Sequence, residues 1–289
     1  MQIVDFLSTP VAIVPFLNAG RGPGEFYEDQ LPVHVAFVNQ LPVGVSALIA
    51  TADLQGRELI KPRAIEPPRL LGEVLPMLLT AEILPAIEHL TGPIDPRLTG
   101  VLLAGDFYTV PALDKRGGTG DVSAVWKAFG DRFGWVVGVA GNHDLFEGDK
   151  PEPRRLARHQ HYLDGRAVMI AGLRFAGLGG IIGSPHRNHR RTEDDYLATL
   201  ERLLYLKPGI VITHDGPEGL EPGQRGSSRV RELLDILPPP LLVRGHAHWD
   251  HPFETLAGGT QVLNVDARVA ILCAKGQCPG SETGAATAT

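Results

Sequence analysis

The chain has 289 residues, of which 43% are apolar, so it can bury a full hydrophobic core in one large domain. Its formal net charge of -6 arises from mixed signs without a long basic run, which argues against a dedicated nucleic-acid-binding surface. No apolar segment reaches the ~18 residues that a membrane-spanning helix needs, and the N-terminus lacks the basic stretch of a signal peptide. We therefore expect a cytoplasmic protein with no membrane partner.

The first part of the chain, residues 1–46, predicts a β extension that precedes the main fold. The stretches TPVAIVPFL and LPVHVAFVNQ have the composition of strands, and a loop rich in glycine and proline separates them. They form either an added hairpin or a small extra sheet. We assign residues 1–278 to a single domain, because the small polar residues at 279–289 cannot bury themselves and predict a flexible tail.

Further along the chain, five apolar runs each end in residues that can bind a metal ion. Runs of this kind are typical of strands buried on both faces, and ligands gather beyond the carboxyl ends of such strands in open α/β sheets. Carboxylate and imidazole groups are common ligands of divalent ions, so the five ends predict one shared metal site. In chain order, the runs and their candidate ligands are VSALIATAD (Asp53), TGVLLAGD (Asp106), GWVVGVAGNHD (Asn142, His143 and Asp144), GIVITHDGP (His214) and LLVRGHAHWD (His246 and His248).

Helical segments alternate with these strands, which predicts an α/β layered fold. The segment TEDDYLATLERLLYL follows a Thr192 cap, and SSRVRELLDIL follows a serine cap. Near the C-terminus, Cys273 and Cys278 have the spacing of neither a redox motif nor half of a zinc site. We interpret both as ordinary reduced thiols.

The metal-binding motifs, in this order, resemble those of the calcineurin-like metallophosphoesterases, whose pattern is D-x-H, G-D, G-N-H-[DE], a single H and G-H-x-H. The resemblance extends from Asp53 to His248. It implies a four-layer α/β/β/α sandwich of two sheets flanked by helices. It also implies a dinuclear metal site, with one ion held by Asp53, Gln55, Asp106 and His248 and a second held by Asp106, Asn142, His214 and His246.

In this arrangement Asp106 bridges the two ions, because a shared carboxylate is needed to hold two like charges close together. Two cations about 4 Å apart clamp a phosphoryl group and lower the pKa of a bridging water, so that hydroxide forms near neutral pH. The resemblance gives His143 the role of stabilising the transition state or protonating the leaving oxygen, with Asp144 orienting it. The sequence therefore predicts metal-dependent hydrolysis of a phosphate ester.

Gln55 departs from the family pattern, which has histidine at this position. Its amide offers a neutral oxygen, a weaker donor that suits manganese or magnesium better than zinc. We expect two divalent ions, with manganese favoured over iron, zinc or magnesium, and a first site that is weak or vacant. The alternative is that Gln55 makes only hydrogen bonds around the site.

The predicted substrate is a small-molecule or nucleotide-like phosphate ester, with a diester favoured over a monoester. The second motif reads GDFYTV instead of the G-D-x-V-D-R-G of serine/threonine protein phosphatases, so the chain is more similar to the bacterial phosphodiesterase side of the family. A glycine-rich loop carries His186, Arg187, Arg190 and Arg191, and guanidinium groups pair well with phosphate oxygens. The alternative for this loop is a solvated basic turn before the helix near Thr192.

A second functional hypothesis comes from another class. The chain would be a catalytically idle module that binds a nucleotide or a partner protein and uses a single metal ion structurally. Gln55 favours this hypothesis, whereas the intact pair of Asn142 and His143 disfavours it.

Overall fold

The computed structural model describes residues 1–20, 22, 25–60, 67–115 and 117–275. Cys278 and the predicted tail at 279–289 lie outside these residues. Two β-sheets stack face to face with helices on their outer faces, so the described part of the chain forms four layers. The predicted α/β/β/α sandwich is confirmed.

Most of the secondary structure consists of short strands. Numbered in chain order, they are β1 (Ile3–Phe6), β2 (Ala12–Ala19), β3 (Phe26–Val38), β4 (Ala47–Ala52), β5 (Arg57–Glu58), β6 (Thr99–Leu103), β7 (Gly120–Asp121), β8 (Trp135–Gly138), β9 (Asp144–Leu145), β10 (Gln160–Tyr162), β11 (Arg166–Ile170), β12 (Leu173–Leu178), β13 (Ile181–Ile182), β14 (Arg190–Arg191), β15 (Ile210–Thr213), β16 (Leu241–Arg244), β17 (Phe253–Thr255), β18 (Gln261–Asn264) and β19 (Arg268–Ala274). The α-helices are α1 (Leu71–Leu78), α2 (Leu84–Ala86), α3 (Glu88–Thr91), α4 (Ser123–Arg132), α5 (Glu193–Leu204) and α6 (Ser228–Ile236). A π-helical turn at Leu79–Ile83 continues α1, and a 3-10 turn at Pro96–Leu98 precedes β6.

The two sheets share a common plan at their centres. The large sheet has the strand order β10-β8-β6-β4-β19-β3-β2-β5, with β1 also paired to β3, and its strands β4, β6 and β8 run parallel. The smaller sheet has the order β11-β12-β15-β16-β18-β17, and its strands β12, β15, β16 and β18 run parallel. The carboxyl ends of neighbouring parallel strands meet at one edge, where α/β sheets bind their ligands.

The predicted central strands are fully covered. Every residue of β4, β6, β15 and β16 is buried, which is the expected environment for continuous apolar runs. Leu48, Leu102 and Val243 belong to the core between the two sheets. Two further cores lie outside the sheets, one under α1 and α4 and one under α5 and α6.

Both predicted helix caps are confirmed. The Thr192 hydroxyl accepts a hydrogen bond from the backbone N–H of Asp195 at the start of α5. The Ser227 hydroxyl does the same for the N–H of Val230 at the start of α6. Such caps satisfy N–H groups that have no partner inside the helix.

The N-terminal extension is a hairpin that belongs to the large sheet. Strands β2 and β3 pair in antiparallel register, and β3 also pairs in parallel with β19. The extension therefore does not form the separate small sheet that was the other interpretation of the sequence. Cys273 lies in β19 as a free, buried thiol, and burial raises its pKa to about 11. In the described ranges, no helix is long and apolar enough to cross a membrane, and the cytoplasmic location stays a prediction.

Candidate metal centre

The ligand-bearing ends of the two sheets are joined by direct hydrogen bonds. His214, after β15, lies 2.7 Å through its Nδ1 from the carbonyl oxygen of Ala104, after β6. The backbone N–H of His246, after β16, donates to a carboxylate oxygen of Asp53, after β4, over 2.9 Å. Residues from both sheets therefore meet at one rim, as the five apolar runs predict.

Three side chains at this rim are close enough to share one ion. The ligand atoms of Asp106, His214 and His246 all lie within 4.8 Å of one another. A carbonyl oxygen can only accept, so Nδ1 of His214 is protonated, and Nε2 is the ring nitrogen that can offer a lone pair to a cation. That Nε2 is 3.4 Å from the Asp106 carboxylate, longer than an ordinary hydrogen bond.

Asn142 lies in the turn that contacts Asp106, because the next residue, His143, donates its backbone N–H to the Asp106 carboxylate. The Oδ1 of Asn142 is buried and has no hydrogen-bond partner in the described part of the chain, and the same is true of His214 Nε2. Buried polar atoms are normally satisfied, so these two need an explanation. A divalent cation held by Asp106, Asn142, His214 and His246 supplies one, and these residues fit the second ion of the predicted pair.

Asp144 holds two of the ligand loops together. Its carboxylate accepts hydrogen bonds of 2.8 Å each from the backbone N–H groups of Gly141, Asp106 and Phe107. Asp106 in turn accepts the N–H of His143. The structure therefore corrects the expectation that Asp144 orients the His143 ring. The three donors to the Asp144 carboxylate are all backbone groups, and the buried Nδ1 of His143 has no hydrogen-bond partner among the described residues.

Glycine is required where these two loops touch. A Cβ atom on Gly105 would lie 2.3 Å from the backbone nitrogen of Gly141, and Gly105 has a φ of +93°. A Cβ on Gly141 would lie 2.0 Å from Oδ1 of Asp106. Any larger side chain at either position would force the loops apart and displace Asp106.

The ligands themselves occupy strained backbone conformations. Asp53, Asp106 and His246 have φ values of 55°, 59° and 69°, in the left-handed region that residues other than glycine seldom adopt. Such residues cluster at functional sites, because surrounding hydrogen bonds hold them there.

Asp106, His214 and His246 shift one another's pKa values. Burial alone would raise the pKa of Asp106, but His214 and His143 hold it below its usual range. Burial opposes protonation of His214, yet Asp106 and Asp53 raise its pKa to about 10. Burial and the neighbouring His214 lower the pKa of His246 to about 4. Without a cation, His214 therefore carries a second proton on Nε2 and His246 is neutral, and a metal ion bound to His214 would displace the Nε2 proton.

The other carboxylates at the rim crowd one another. Burial, together with Asp266 and Asp106, raises the pKa of Asp53 well above its ordinary value. Burial and the charge of Asp106 raise the pKa of Asp144 to about 6. Crowded buried carboxylates are stabilised by cations, which fits a metal site.

The residues assigned to the first ion are arranged differently. The amide nitrogen of Gln55 lies 3.2 Å from Oδ2 of Asp106 and donates a hydrogen bond to it. This contact agrees with the alternative in which Gln55 forms hydrogen bonds around the site and does not bind the metal. His248 is exposed, with its Nδ1 3.3 Å from the carboxylate of Asp266 and its Nε2 3.0 Å from the Arg268 guanidinium. Because a guanidinium only donates, the free lone pair of Nε2 points to Arg268. The ring must turn before His248 can bind an ion.

Asp266 and Arg268 are site residues that the sequence motifs miss. Asp266 follows β18, and the surrounding sequence TQVLNVD mixes polar and apolar residues instead of forming a continuous apolar run. Its backbone forms a bridge with Ala52, next to Asp53. This stretch therefore lacks the signal of the five apolar runs, and it also lies beyond His248, where the family pattern ends.

The predicted arginine loop does not line the centre. Arg191 forms an ion pair of 2.6 Å with Asp164. His186 and Arg187 are exposed, and Arg190 lies beside Gly183 in the short pairing of β13 and β14. A role for this loop in substrate binding stays a prediction.

Two cavities flank the loop of His246 and His248. One, of about 730 Å³, is lined by Asp53, Gln55, Asp106 and His143 and also by residues of the β2–β3 hairpin. The other, of about 740 Å³, lies toward the start of α6. Both have the size of small-molecule sites.

A match to a family model shows which protein family this chain belongs to. The model described as calcineurin-like phosphoesterase matches residues 80–250. The chain belongs to this family. The matched span contains Asp106, the GNHD turn, His214 and the GHAH loop. Membership in the calcineurin-like phosphoesterase family supports metal-dependent phosphoesterase chemistry, and the triad of potential ligands agrees with it.

One solved structure supports the fold at low sequence identity, and two others are less similar. TT1561 of Thermus thermophilus is 16% identical with a TM-score of 0.51, and the match covers 77% of this chain and 90% of that one. A hypothetical protein from the same organism has a TM-score of 0.40 at 15% identity, over 75% of both chains. AQ665 of Aquifex aeolicus, a protein of unknown function, has a TM-score of 0.28 at 15% identity, over 77% of this chain and 89% of that one. The first likeness shows the fold alone, and the other two are too weak to support a conclusion.

No functionally curated protein matches the chain.

Proposed function

We propose that the chain hydrolyses phosphate esters, diesters in preference to monoesters, at a dinuclear metal site. The observation that carries the proposal is the convergence of Asp106, His214 and His246 from three strand ends, with an unpartnered buried oxygen of Asn142 in the turn that contacts Asp106. Two divalent ions at such a centre would neutralise phosphate oxygens and lower the pKa of a water molecule. Manganese is the first candidate, because oxygen donors from Asp53, Asn142 and Gln55 suit it.

The protein's own groups then divide the remaining work. His143 lines the same cavity as Asp53, Gln55 and Asp106, within reach of a phosphate held by these residues. Its imidazole would protonate the leaving oxygen or stabilise the charge that develops there. Asp144 acts as a positioning residue, because its carboxylate fixes the backbone on both sides of Asp106.

The preference for diesters is supported by the space around the centre. A phosphodiester carries two substituents, and the two cavities on either side of the His246 and His248 loop offer room for both. A site built for a monoester needs room for one. The departure of GDFYTV from the protein phosphatase motif supports the same preference.

The idle binding module remains the second candidate because of two contacts. Gln55 donates to Asp106, and Arg268 occupies the lone pair of His248. Both contacts are compatible with a chain that holds only the second ion. A single ion would then serve to join the ends of the two sheets.

Hydrolysis of a chromogenic diester separates the two candidates. Metal-free protein is incubated with bis(4-nitrophenyl) phosphate and manganese, then treated with a chelator, and 4-nitrophenyl phosphate is tested in parallel. We expect hydrolysis that needs the metal and a higher kcat/KM for the diester. If no divalent ion supports hydrolysis, the binding module becomes the favoured candidate. A higher kcat/KM for the monoester would reverse the proposed preference.

A further inference from the structure

The β2–β3 hairpin forms one wall of the cavity that contains the metal ligands. Six hairpin residues line it, namely Phe16, Asn18, Tyr27, Asp29, Gln30 and Pro32. The same cavity of about 730 Å³ is also lined by Asp53, Asp106 and His143. A phosphate ester bound through its phosphate to these ligands would therefore share the cavity with the hairpin.

Strand register places four of these side chains on one face. Phe16 lies directly opposite Asp29, and Asn18 lies directly opposite Tyr27. Residues paired in this way project to the same side of a sheet. We call Phe16, Asn18, Tyr27 and Asp29 the hairpin wall.

The hairpin wall is fixed relative to the metal ligands. Strand β2 pairs with β5, which starts two residues after Gln55. The Phe16 ring packs on bare Gly56, where a Cβ would lie 2.1 Å from the ring. The buried Arg57 guanidinium donates to three backbone carbonyls, those of Pro68, Thr109 and Val110.

The polar group of the wall is an oriented carboxylate. Oδ2 of Asp29 accepts hydrogen bonds from the Asn18 amide over 2.9 Å and from the Tyr27 hydroxyl over 3.3 Å. Oδ1 accepts the backbone N–H of Gln30 over 2.9 Å. An ionised carboxylate has about four lone-pair sites and donates nothing, so Asp29 has capacity left for one more donor.

The charge of the cavity selects against a second anion. Four carboxylates line it, from Asp29, Asp53, Asp106 and Asp266, and none of the described lining residues is lysine or arginine. Once ions bind beside Asp53 and Asp106, Asp29 is the negative charge that faces the substituent of the ester. A donor group is attracted there, and a second phosphate or carboxylate is repelled.

We propose that the hairpin wall selects esters whose alcohol part carries a hydrogen-bond donor, a hydroxyl or an ammonium group, and no second anionic group. This inference rests on the proposed phosphoesterase function. The wall lies at residues 16–29, outside the span 80–250 that the family model matches. Phe16 and Tyr27 would pack against the carbon chain of the alcohol while Asp29 accepts its donor.

Binding of alkyl phosphates to the manganese-loaded full chain tests the inference. The series contains ω-amino, ω-hydroxy, ω-carboxy and unsubstituted n-alkyl phosphates of two to six carbons, measured by calorimetry and by inhibition of bis(4-nitrophenyl) phosphate hydrolysis. For the best chain length, we expect the amino or hydroxy compound to bind at least about 10-fold more tightly than the unsubstituted one, the scale of a hydrogen bond to a charged group. The carboxy compound should bind least tightly.

Asp29→Ala should reduce that preference to less than about threefold, and Asp29→Asn should reduce it more for the amino than for the hydroxy series, because the amide keeps an acceptor without charge. Glu28→Ala is the matched control, since Glu28 neighbours Asp29 but projects to the other face of β3. It should keep the preference.

Two outcomes would overturn the inference: no preference at any chain length, or a preference that both Asp29 variants retain. Calorimetry does not depend on turnover, so the two proposals fail separately. An Asp29-dependent preference without hydrolysis would reject the proposed function and keep the hairpin wall, and hydrolysis without the preference would do the reverse.

Discussion

The two halves of the proposed dinuclear centre differ in how completely the protein builds them. In the second-ion half, His214 is fixed by Ala104, and Asp106 by the N–H of His143. In the first-ion half, Gln55 donates to Asp106, and His248 is engaged by Arg268. One half has ligand atoms that lack partners, whereas in the other the candidate donors already have them.

This difference has a physical origin in the contacts that hold each side chain. His214 follows directly on the fully buried strand β15, and the tight contact between Gly105 and Gly141 restricts the loop of Asp106. The side chains of Gln55 and His248 form hydrogen bonds with Asp106 and Arg268, so they choose between a metal and these protein groups. We therefore expect the two halves to bind metal with unequal affinity, and the following experiments test that inequality.

The largest effect is expected from His214→Ala. It removes the ligand whose tautomer the structure fixes, so manganese affinity at the tighter step should fall by more than about 100-fold, beyond the range for outer-shell changes. Equilibrium dialysis with metal analysis measures this. His248→Ala is the comparison, and it should weaken only the weaker step. A larger loss of total metal from His248→Ala than from His214→Ala would invert the assignment of the halves.

His143→Ala should separate catalysis from metal binding. Its ring has no ligand role in this account, so both ions should stay bound while kcat falls roughly 100-fold or more, the usual contribution of general acid–base catalysis. Metal content and kcat are measured on the same preparation. Equal loss of metal and activity would show that His143 has been misassigned.

Gln55→His should act on the first-ion half alone. An imidazole nitrogen at this position should tighten the weaker manganese step by about 10-fold and raise tolerance for zinc. That step should also become sensitive to acid below about pH 6.5, because imidazole must lose its proton to coordinate and an amide need not. Metal titrations at several pH values measure both effects. If both steps stay unchanged, Gln55 lies outside the ligand set and its hydrogen bond to Asp106 is its role.

Asp266→Asn should give the smallest effect. It removes a negative charge beside Asp53 and replaces the charged acceptor that draws His248 away with a weaker neutral one, and these two consequences oppose each other. We expect a change of about threefold in the weaker metal step, the scale of a partly exposed charge pair. A loss as large as that from Asp53→Ala, measured in the same titration, would instead make Asp266 a direct ligand.

Much of this site could be predicted from the sequence because its signals are local. A continuous apolar run that ends in Asp53 or His214 specifies both the strand and the position of the ligand at its carboxyl end. The helix caps at Thr192 and Ser227 are local in the same sense. These features need no knowledge of the rest of the chain.

The remaining features depend on contacts between distant segments. Asp144 binds backbone groups at 106 and 107, and Asp266 reaches the site because its backbone bridges to Ala52. The hairpin joins the large sheet through β19, near the other end of the chain. Register between distant strands determines all three, and no short pattern in the sequence encodes it.

The most direct test of the account measures metal occupancy and hydrolysis together. Metal-free protein is titrated with manganese, and bound metal and the rate of bis(4-nitrophenyl) phosphate hydrolysis are recorded at each point. We expect two unequal manganese-binding steps, with hydrolysis that appears as the weaker step fills. Binding of a single tight ion followed by no hydrolysis at any manganese concentration would contradict it.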